Sequence, residues 1–278
     1  MLWSTQQGTI VAKNLVKELI VAQKEKSWLN GKEFTKRLEE GYIRQFGTKF
    51  TTKKTFAPSS LAWNNGECPR YWYIAFNGAD FVDDEREAKA VANMQHGTVS
   101  HERIQKALEL SDISAEIEVK IKNEDPPIFG YADGILEWVG DDNVILEIKT
   151  MREEGFARIK ASGKPKKHHV FQLLVYMKIM KATKGIIMYE SKNANELLAL
   201  PVEINDTYRD YMDYLWGWLR EVRGAWEDQT LPEKNYRSNS RVCKGCPVKA
   251  TCDTLGDGVI KIKSLEPIPD VEELWLVW

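Results

Sequence analysis

Three charged residues in the middle of the sequence have the types and spacing needed to hydrolyse a phosphodiester. Glu147 and Lys149 form an E-x-K triplet, and Asp133 lies fourteen residues before the glutamate. Phosphodiester hydrolysis requires neutralised charge at phosphorus and hydroxide near neutral pH, and carboxylate-bound Mg²⁺ or Mn²⁺ supplies both. In this interpretation the two carboxylates hold the ion, and the lysine orients or deprotonates the attacking water.

The segments around these residues alternate in the manner of β-strands. Strands are predicted over 128–139 and 144–150, joined by a turn at 140–143. Because successive side chains of a strand point to opposite faces, Glu147 and Lys149 share one face while Leu146 and Ile148 enter the core. An isolated E-x-K triplet usually marks a solvent-facing strand. A catalytic role therefore needs support from other residues.

Further polar residues stand at helical spacing on both sides of this predicted hairpin. His101 follows Gly97 by one turn within a helix predicted over 85–110, eased or interrupted at the glycine. Gln172 and Tyr176 are separated by one turn in a helix predicted over 168–181. Taken singly, the histidine is typical of a structural hydrogen bond, and the Gln–Tyr pair of a core edge.

Four cysteines bracket these elements. Cys243, Cys246 and Cys252 form a C-x2-C-x5-C pattern, and Cys68 precedes the predicted hairpin. In a reducing compartment, such cysteines are more often metal ligands or core residues than disulfides. Four thiolates select an iron–sulfur cluster or zinc, and spacing does not decide between them. Clustered cysteines without metal are the remaining alternative.

The four motifs together resemble the RecB-like branch of the PD-(D/E)XK nucleases. That branch has the order G-x-x-x-H, G-x-x-D, E-x-K and Q-x-x-x-Y. The same order appears here at 97–101, 130–133, 147–149 and 172–176. The resemblance implies that His101, Asp133 and Glu147 coordinate the metal ion and that Lys149 is catalytic. It also implies that Gln172 and Tyr176 contact or position DNA.

The cysteines narrow the resemblance to the iron–sulfur subgroup. This subgroup includes CRISPR-associated RecB-like exonucleases, their phage-encoded relatives and the nuclease domain of AddB. In it, one cysteine before the nuclease core and three after it hold a 4Fe-4S cluster that joins the two ends of the domain. The resemblance therefore implies such a cluster on Cys68, Cys243, Cys246 and Cys252, with zinc as the alternative.

The predicted fold is an α/β restriction-endonuclease-like core with a central mixed sheet flanked by helices. A helical cap, formed by the N-terminal segment and the cysteine-bearing C-terminal region, is expected to be tied by the metal cluster. We predict an N-terminal helical extension over 1–55, with helices at 11–30 and 31–46, a nuclease domain over 56–255 and a C-terminal tail over 256–278. Further elements are a strand at 185–190 and a helix at 206–227.

Positive charge is concentrated where DNA could bind. Residues 151–167 carry six Lys or Arg against two Glu and are predicted to form a mobile basic loop. Candidate DNA contacts are Lys164, Lys166, Lys167, His168 and Arg70, although His168 and its neighbour His169 also fit a solvated loop end. The aromatic residues of the helix at 206–227 favour core packing over base stacking.

The composition does not decide between the two classes of function that are described in the next paragraph. The net charge of −2 does not by itself indicate a nucleic-acid binder, but residues 1–57 hold eleven Lys or Arg against five Glu. No segment is typical of a membrane span or a secretory signal, so a cytoplasmic location is expected, in the host if the chain is phage-encoded.

The first class is a Mg²⁺- or Mn²⁺-dependent nuclease for single-stranded DNA or DNA ends, chiefly an exonuclease, acting in recombination, end processing or CRISPR-type adaptation. The second is a catalytically weak iron–sulfur DNA-binding module within a larger complex. The N-terminal helices and the C-terminal tail, including the apolar end at 274–278, are candidates for contacting a protein partner.

Overall fold

The computed structural model describes residues 15, 17, 18, 30–45, 50–79, 87–138 and 140–270. These residues fall into two compact units, one within Met1–Gly47 and Arg86–Ala92 and the other within Thr48–Glu85 and Asn93–Trp278. Apart from residues 15, 17, 18 and 30, the helix predicted over 11–30 lies outside the described residues, as does the apolar end at 274–278. No helix in the described ranges has the length and apolar character to cross a membrane.

The first unit contains α1 (Gly31–Arg44), close to the helix predicted over 31–46. Its start is determined by Asn30, whose side chain accepts hydrogen bonds from the backbone N–H groups of Lys32 and Glu33. One face of α1 is apolar, and Phe34 and Leu38 on that face are exposed.

The second unit is built on a five-stranded mixed sheet in the order β1-β2-β3-β4-β5. The strands are β1 (Ala115–Asn123), β2 (Ile128–Trp138), β3 (Asp141–Met151), β4 (Lys184–Ser191) and β5 (Leu197–Glu203). Only β3 and β4 are parallel; the other neighbouring pairs are antiparallel. The predicted hairpin and the predicted strand at 185–190 are therefore present, and β1 and β5 are additional strands.

Helices surround this sheet. In chain order they are α2 (Pro58–Leu61), a 3₁₀ turn (Asn64–Glu67), α3 (Pro69–Asn77), α4 (Ala88–Glu109), α5 (Glu153–Ser162), α6 (Lys167–Met180), α7 (Asp206–Glu227), α8 (Arg241–Lys244) and α9 (Lys249–Thr254). Helix α4 continues through Gly97 without a break. The aromatic residues predicted to pack in α7 are mainly buried, among them Tyr208, Trp216 and Trp218.

Both faces of the sheet are covered, which determines the surroundings of the E-x-K triplet. Leu146 and Ile148 pack with Ile104 of α4, whereas Ile145 belongs to the core on the α6 side. Helix α6 packs against β1, β3 and β4. Glu147 alternates with Leu146 and Ile148, so its carboxylate enters a protein interior instead of solvent. The prediction of an α/β core with a central mixed sheet flanked by helices is confirmed.

The prediction of a mobile loop over 151–167 is wrong for most of its length. Residues Glu153–Ser162 form α5, which buries Phe156 and Ile159, one turn apart. Two glutamates lie in its first turn, where their negative charge interacts favourably with the positive end of the helix dipole. The helix ends at Gly163, whose φ of 63° is readily adopted by glycine. The apolar pair at helical spacing thus outweighs the glycines and charges that suggested a loop.

The predicted helical cap combines segments that belong to different units. Helix α1 falls in the first unit, whereas all four cysteines fall in the second. The described part of the predicted tail also packs into the second unit, where Ile262, Leu265 and Ile268 are buried. The indole Nε1 of Trp218 donates to the backbone oxygen of Lys263 at 2.7 Å. Ile262, Leu265 and Ile268 stand at every third position, and their burial anchors this segment within the second unit.

Candidate active site

Four elements bring the charged and polar motif residues together. Helix α4 supplies His101, β2 supplies Asp133, β3 supplies Glu147 and Lys149, and α6 supplies Gln172 and Tyr176. Because β2 and β3 are hydrogen-bonded neighbours, the two carboxylates lie on adjacent strands. All six predicted residues therefore belong to one connected cluster.

Asp133 is the link between α4 and β3. Its Oδ1 lies 3.3 Å from Nδ1 of His101, and its Oδ2 accepts the backbone N–H of Ile148 at 2.5 Å. Burial acts to lower the pKa of His101, but the hydrogen bond to Asp133 and that carboxylate's charge outweigh it and raise the pKa. The imidazole is thereby held against the carboxylate.

Glu147 is the most deeply buried acid of the cluster, with 2% of its surface exposed. Its Oε1 forms an ion pair with the Lys149 ammonium, and its Oε2 is buried without a hydrogen-bond partner. Burial raises the pKa of Glu147 to about 7, against the opposing effect of Lys149. A buried oxygen with no partner is costly, so this carboxylate is suited to binding a cation.

Lys149 begins a hydrogen-bonded chain that extends into α6. Its Nζ donates to Gln172 Oε1 at 3.2 Å, and Gln172 Nε2 donates to the Tyr176 hydroxyl at 3.1 Å. Burial raises the pKa of Tyr176 further above its usual range, so the hydroxyl stays protonated. Gln172 and Tyr176 thus fix the position of the lysine.

The glycine of the G-x-x-D motif leaves room for this chain. A Cβ atom at Gly130 would lie 3.2 Å from Cδ of Pro58 and 3.4 Å from Cε1 of Tyr176. A side chain there would displace the tyrosine ring or the start of α2. The motif therefore encodes a close approach between β2 and α6 as well as a carboxylate.

Two residues of the site were missed by the sequence interpretation. Gln105 of α4 is buried, and its Nε2 donates to the backbone oxygen of Asp133 at 3.1 Å and to Glu118 Oε1 at 2.8 Å. Glu118 has a φ of 52° and interrupts the β1–β2 pairing opposite Asp133. Gln105 lies one turn after His101, which is the sequence signal that could have indicated it.

A divalent cation fits the chemistry of this donor set. Two carboxylates and an imidazole lie on neighbouring elements, His101 contacts Asp133, and Glu147 Oε2 lacks a partner. Among the described residues, however, no three His, Cys, Asp or Glu side chains are arranged to hold a metal ion. The carboxylates are turned toward Lys149 and the Ile148 N–H instead. The residues are present, but they must rotate to surround an ion.

The four cysteines lie around a second pocket. Cys68 precedes α3, Cys243 is in α8, Cys252 is in α9, and Cys246 lies between those two helices. All four are half-buried free thiols and line the same pocket. Burial raises the pKa of the Cys68 thiol to about 11 and that of Cys246 to about 12. Folding thus brings Cys68 to the same pocket as the three C-terminal cysteines, although no three of these described cysteines are arranged to hold a metal ion.

Arg70 belongs to this cysteine pocket and does not reach a DNA-binding surface. Only 1% of its surface is exposed, which contradicts the prediction that it contacts DNA. Its Nε donates to Cys252 Sγ at 3.2 Å. Its other nitrogens donate to the backbone oxygens of Pro232, Leu255 and Gly256. A buried guanidinium beside sulfur suits a pocket that holds negative charge.

We expect Arg70→Met to lower the free energy of unfolding by at least about 2 kcal/mol, because buried carbonyl groups lose their donors. The exposed Arg158→Met on α5 is the matched control and should change stability by less than about 0.5 kcal/mol. Chemical denaturation measures both. Equal stability of the two variants, with weaker DNA binding by Arg70→Met alone, would restore the DNA-contact prediction.

The other predicted DNA contacts lie between α5 and α6 or at the start of α6. Lys164, Lys166 and Lys167 are exposed, and Lys167 forms an ion pair with Asp270 at 2.8 Å. His168 is half-buried beside Trp63. The neighbouring His169 contacts the Tyr189 hydroxyl through Nδ1 at 2.9 Å, which indicates a structural role for that histidine.

A family model described as "PD-(D/E)XK nuclease superfamily" matches residues 7–253. Comparison with curated proteins gives no match.

Three solved structures are similar to this chain at low sequence identity. SSO0001 is 19% identical, with a TM-score of 0.45, over 79% of this chain and 96% of that one. The alkaline exonuclease LHK-Exo from Laribacter hongkongensis is 13% identical, with a TM-score of 0.48, over 68% and 95%. A phage-related exonuclease from Haemophilus somnus 129PT is 10% identical, with a TM-score of 0.41, over 63% and 96%. At these values, none assigns a substrate to this chain.

Proposed function

Because this chain belongs to the PD-(D/E)XK nuclease superfamily, we propose that it is a metal-dependent deoxyribonuclease, acting mainly as an exonuclease on single-stranded DNA. The observation that supports this most directly is the buried Oε2 of Glu147, which has no hydrogen-bond partner. Glu147 pairs with Lys149 on β3, the strand next to the one that carries Asp133 and its contact with His101. A structural salt bridge would not need that orphaned oxygen or the neighbouring histidine.

Each side chain of the cluster has a defined task in this proposal. His101, Asp133 and Glu147 would hold Mg²⁺ or Mn²⁺, which supplies charge neutralisation at phosphorus and a more acidic water when bound. Lys149 lies beside these ligands and is held by Gln172, so its ammonium can orient the attacking water or contact a phosphate oxygen. Gln105 and Asp133 tie α4 to the sheet and keep the ligands in register.

The preference for single-stranded DNA and for ends has two supports. One is the resemblance to the iron–sulfur RecB-like nucleases, which act mainly on such substrates. The other, which supports DNA binding in general, is the exposed group of Lys164, Lys166 and Lys167 around the start of α6, the helix that also carries Gln172. Lysines beside a catalytic cluster attract the phosphate backbone without reading sequence.

Substrate topology provides the experiment. Purified protein with Mn²⁺ would be incubated with linear single-stranded DNA, closed circular single-stranded DNA and linear duplex of equal length. We expect rapid degradation of the linear single strand, slower degradation of the duplex and persistence of the circle. Loss of the circle at the same rate as the linear strand would contradict exonuclease action, and no cleavage of any substrate would favour a DNA-binding module.

We also propose that Cys68, Cys243, Cys246 and Cys252 hold a 4Fe-4S cluster, with zinc as the alternative. Support comes from the four free thiols around one pocket and from the buried guanidinium of Arg70 beside Cys252. Thiolates bound to a metal centre are anionic, so an adjacent buried positive charge would lower the energy of the assembly. The cluster would link α3 to the C-terminal helices.

We expect anaerobically purified protein to be brown and to contain about four iron atoms per chain. Cys246→Ser should lose the metal and most soluble protein, because metal binding and folding are coupled. Thr254→Ser, a conservative change in the neighbouring helix, is the control and should retain both. Colourless wild-type protein with stoichiometric zinc would replace the iron–sulfur assignment, and metal-free folded protein would refute both.

A further inference from the structure

One tryptophan near the catalytic cluster is exposed on a fixed backbone. Trp63 lies between α2 and the 3₁₀ turn, and 61% of its surface is exposed. Its neighbours Leu61 and Asn65 are buried, and its own N–H and C=O form hydrogen bonds to Ser60 and Gly66. Isolated exposed apolar side chains are common, so the surroundings of this indole decide whether it has a role.

The first neighbour of the indole is His168. The two ring centroids are 6.1 Å apart with an interplanar angle of 87°, an edge-to-face contact. Burial lowers the pKa of His168 to about 4, assisted by the charges of Lys166 and Lys149. At neutral pH the pair is therefore two uncharged aromatic rings.

The pair adjoins the active site. His168 lies one helical turn before Gln172 on α6, and Gln172 accepts the hydrogen bond from the catalytic lysine, Lys149. The positive charge of Lys149 also contributes to the lowered pKa of His168. A strand whose phosphate reached the cluster would thus pass beside these rings.

The groove next to the rings is better suited to a base than to a phosphate. Leu265, Pro267 and Ile268 form part of its apolar wall. Glu67, Glu266 and Lys167 also line it, and the lysine forms an ion pair with Asp270. Two carboxylates would repel a phosphate, whereas an uncharged base can lie on apolar atoms and hydrogen-bond to polar ones. Phosphates are expected to stay near the exposed lysines.

We propose that the Trp63 indole, with His168 edge-to-face beside it, forms a nucleobase-binding shelf, on which an unpaired base of the substrate strand stacks beside the phosphate held at the catalytic cluster. This proposal rests on the proposed deoxyribonuclease function and adds a reason for its strand preference. A base inside a duplex is stacked on both faces and cannot offer one to the indole without unpairing. Stacking on an indole tolerates any base, so no sequence specificity is expected.

Binding of a fluorescent single-stranded oligonucleotide in EDTA tests the shelf without cleavage. Base–aromatic stacking is worth about 1–3 kcal/mol, so Trp63→Ala should weaken binding by about 5- to 150-fold. Trp63→Phe keeps a stacking surface and should bind within about threefold of wild type. Trp138→Ala, which removes another exposed tryptophan, is the matched control and should leave the Kd unchanged.

A second measurement separates stacking from a general loss of affinity. Oligonucleotides with one abasic nucleotide at successive positions should weaken wild-type binding at one position only, and Trp63→Ala should show no further loss there. Additive losses, or equal affinity of Trp63→Ala and Trp138→Ala, would overturn the shelf. A Trp63→Ala chain that cannot fold would also overturn it, because a solvent-exposed ring is not needed for folding.

The two proposals fail in different ways. If wild type binds and cleaves DNA while Trp63→Ala binds equally well, the shelf is wrong and the nuclease assignment stands. If wild type binds DNA without cleaving it under any metal condition, the nuclease assignment is wrong and the abasic scan still decides the shelf. Wild type that neither binds nor cleaves would overturn both.

Discussion

Lys149→Ala is expected to slow cleavage of single-stranded DNA by about 10²- to 10⁴-fold at saturating substrate, the range typical for loss of a positioned catalytic group. The ammonium is fixed by the Glu147 carboxylate and by Gln172 Oε1. In the proposed mechanism, its removal takes away the cation that orients the attacking water or contacts the phosphate. The measurement is single-turnover cleavage with Mn²⁺ in excess.

The control for this prediction is Lys106→Ala, which removes an exposed lysine of α4. It should cleave within about threefold of wild type, since surface substitutions away from special features have small effects. The affinity of Lys149→Ala for DNA should also remain close to that of wild type. Equal rates for the two variants would remove Lys149 from the catalytic machinery.

Glu147→Gln should abolish cleavage and stabilise the metal-free fold above neutral pH. Burial raises the pKa of Glu147 from 4.5 to about 7. Between these values the folded chain keeps a proton that the unfolded chain has released, so the free energy of unfolding falls as pH rises. The side-chain amide of the variant cannot titrate, so its free energy of unfolding should not fall in this way as the pH rises. The expected gain at pH 8 is about 1–3 kcal/mol.

Denaturation in EDTA from pH 4.5 to 8 measures this effect, with Glu137→Gln, an exposed residue of β2, as the control. Adding Mn²⁺ at about 100 times its Kd should stabilise wild type by about 2.7 kcal/mol and Glu147→Gln by much less. If the free energy of unfolding changed with pH in the same way for wild type and both variants, the raised pKa of Glu147 would be contradicted. Equal stabilisation by Mn²⁺ would contradict its role as a ligand.

The sequence was most informative where chemistry and local periodicity coincide. The turn and two alternating strands predicted the β2–β3 hairpin, and i, i+4 spacing predicted that Gln172 and Tyr176 share a helical face. The order of the motifs predicted that His101 would join the carboxylates, although no local rule specifies that contact. The strands and helices were therefore accessible from residue types and spacing, whereas the joint site was implied by the resemblance that the order of the motifs carries.

The remaining features depend on contacts between distant residues. Arg70 was assigned to DNA from its charge, but tertiary packing places it against the backbone around residues 232 and 255–256. The positive φ of Glu118 accompanies an irregularity in the β1–β2 pairing, which the sequence pattern does not reveal. No local pattern distinguishes Trp63 from the α7 aromatics, and only the fold shows that most of those are buried whereas Trp63 is exposed.

The most direct test of the central claim is the metal dependence of cleavage. End-labelled linear single-stranded DNA would be incubated with purified wild type in EDTA and then with excess Mn²⁺ or Mg²⁺. The site formed by His101, Asp133, Glu147 and Lys149 predicts no cleavage in EDTA and restored cleavage on addition of either cation. Equal cleavage in EDTA, or no cleavage with either metal, would contradict it.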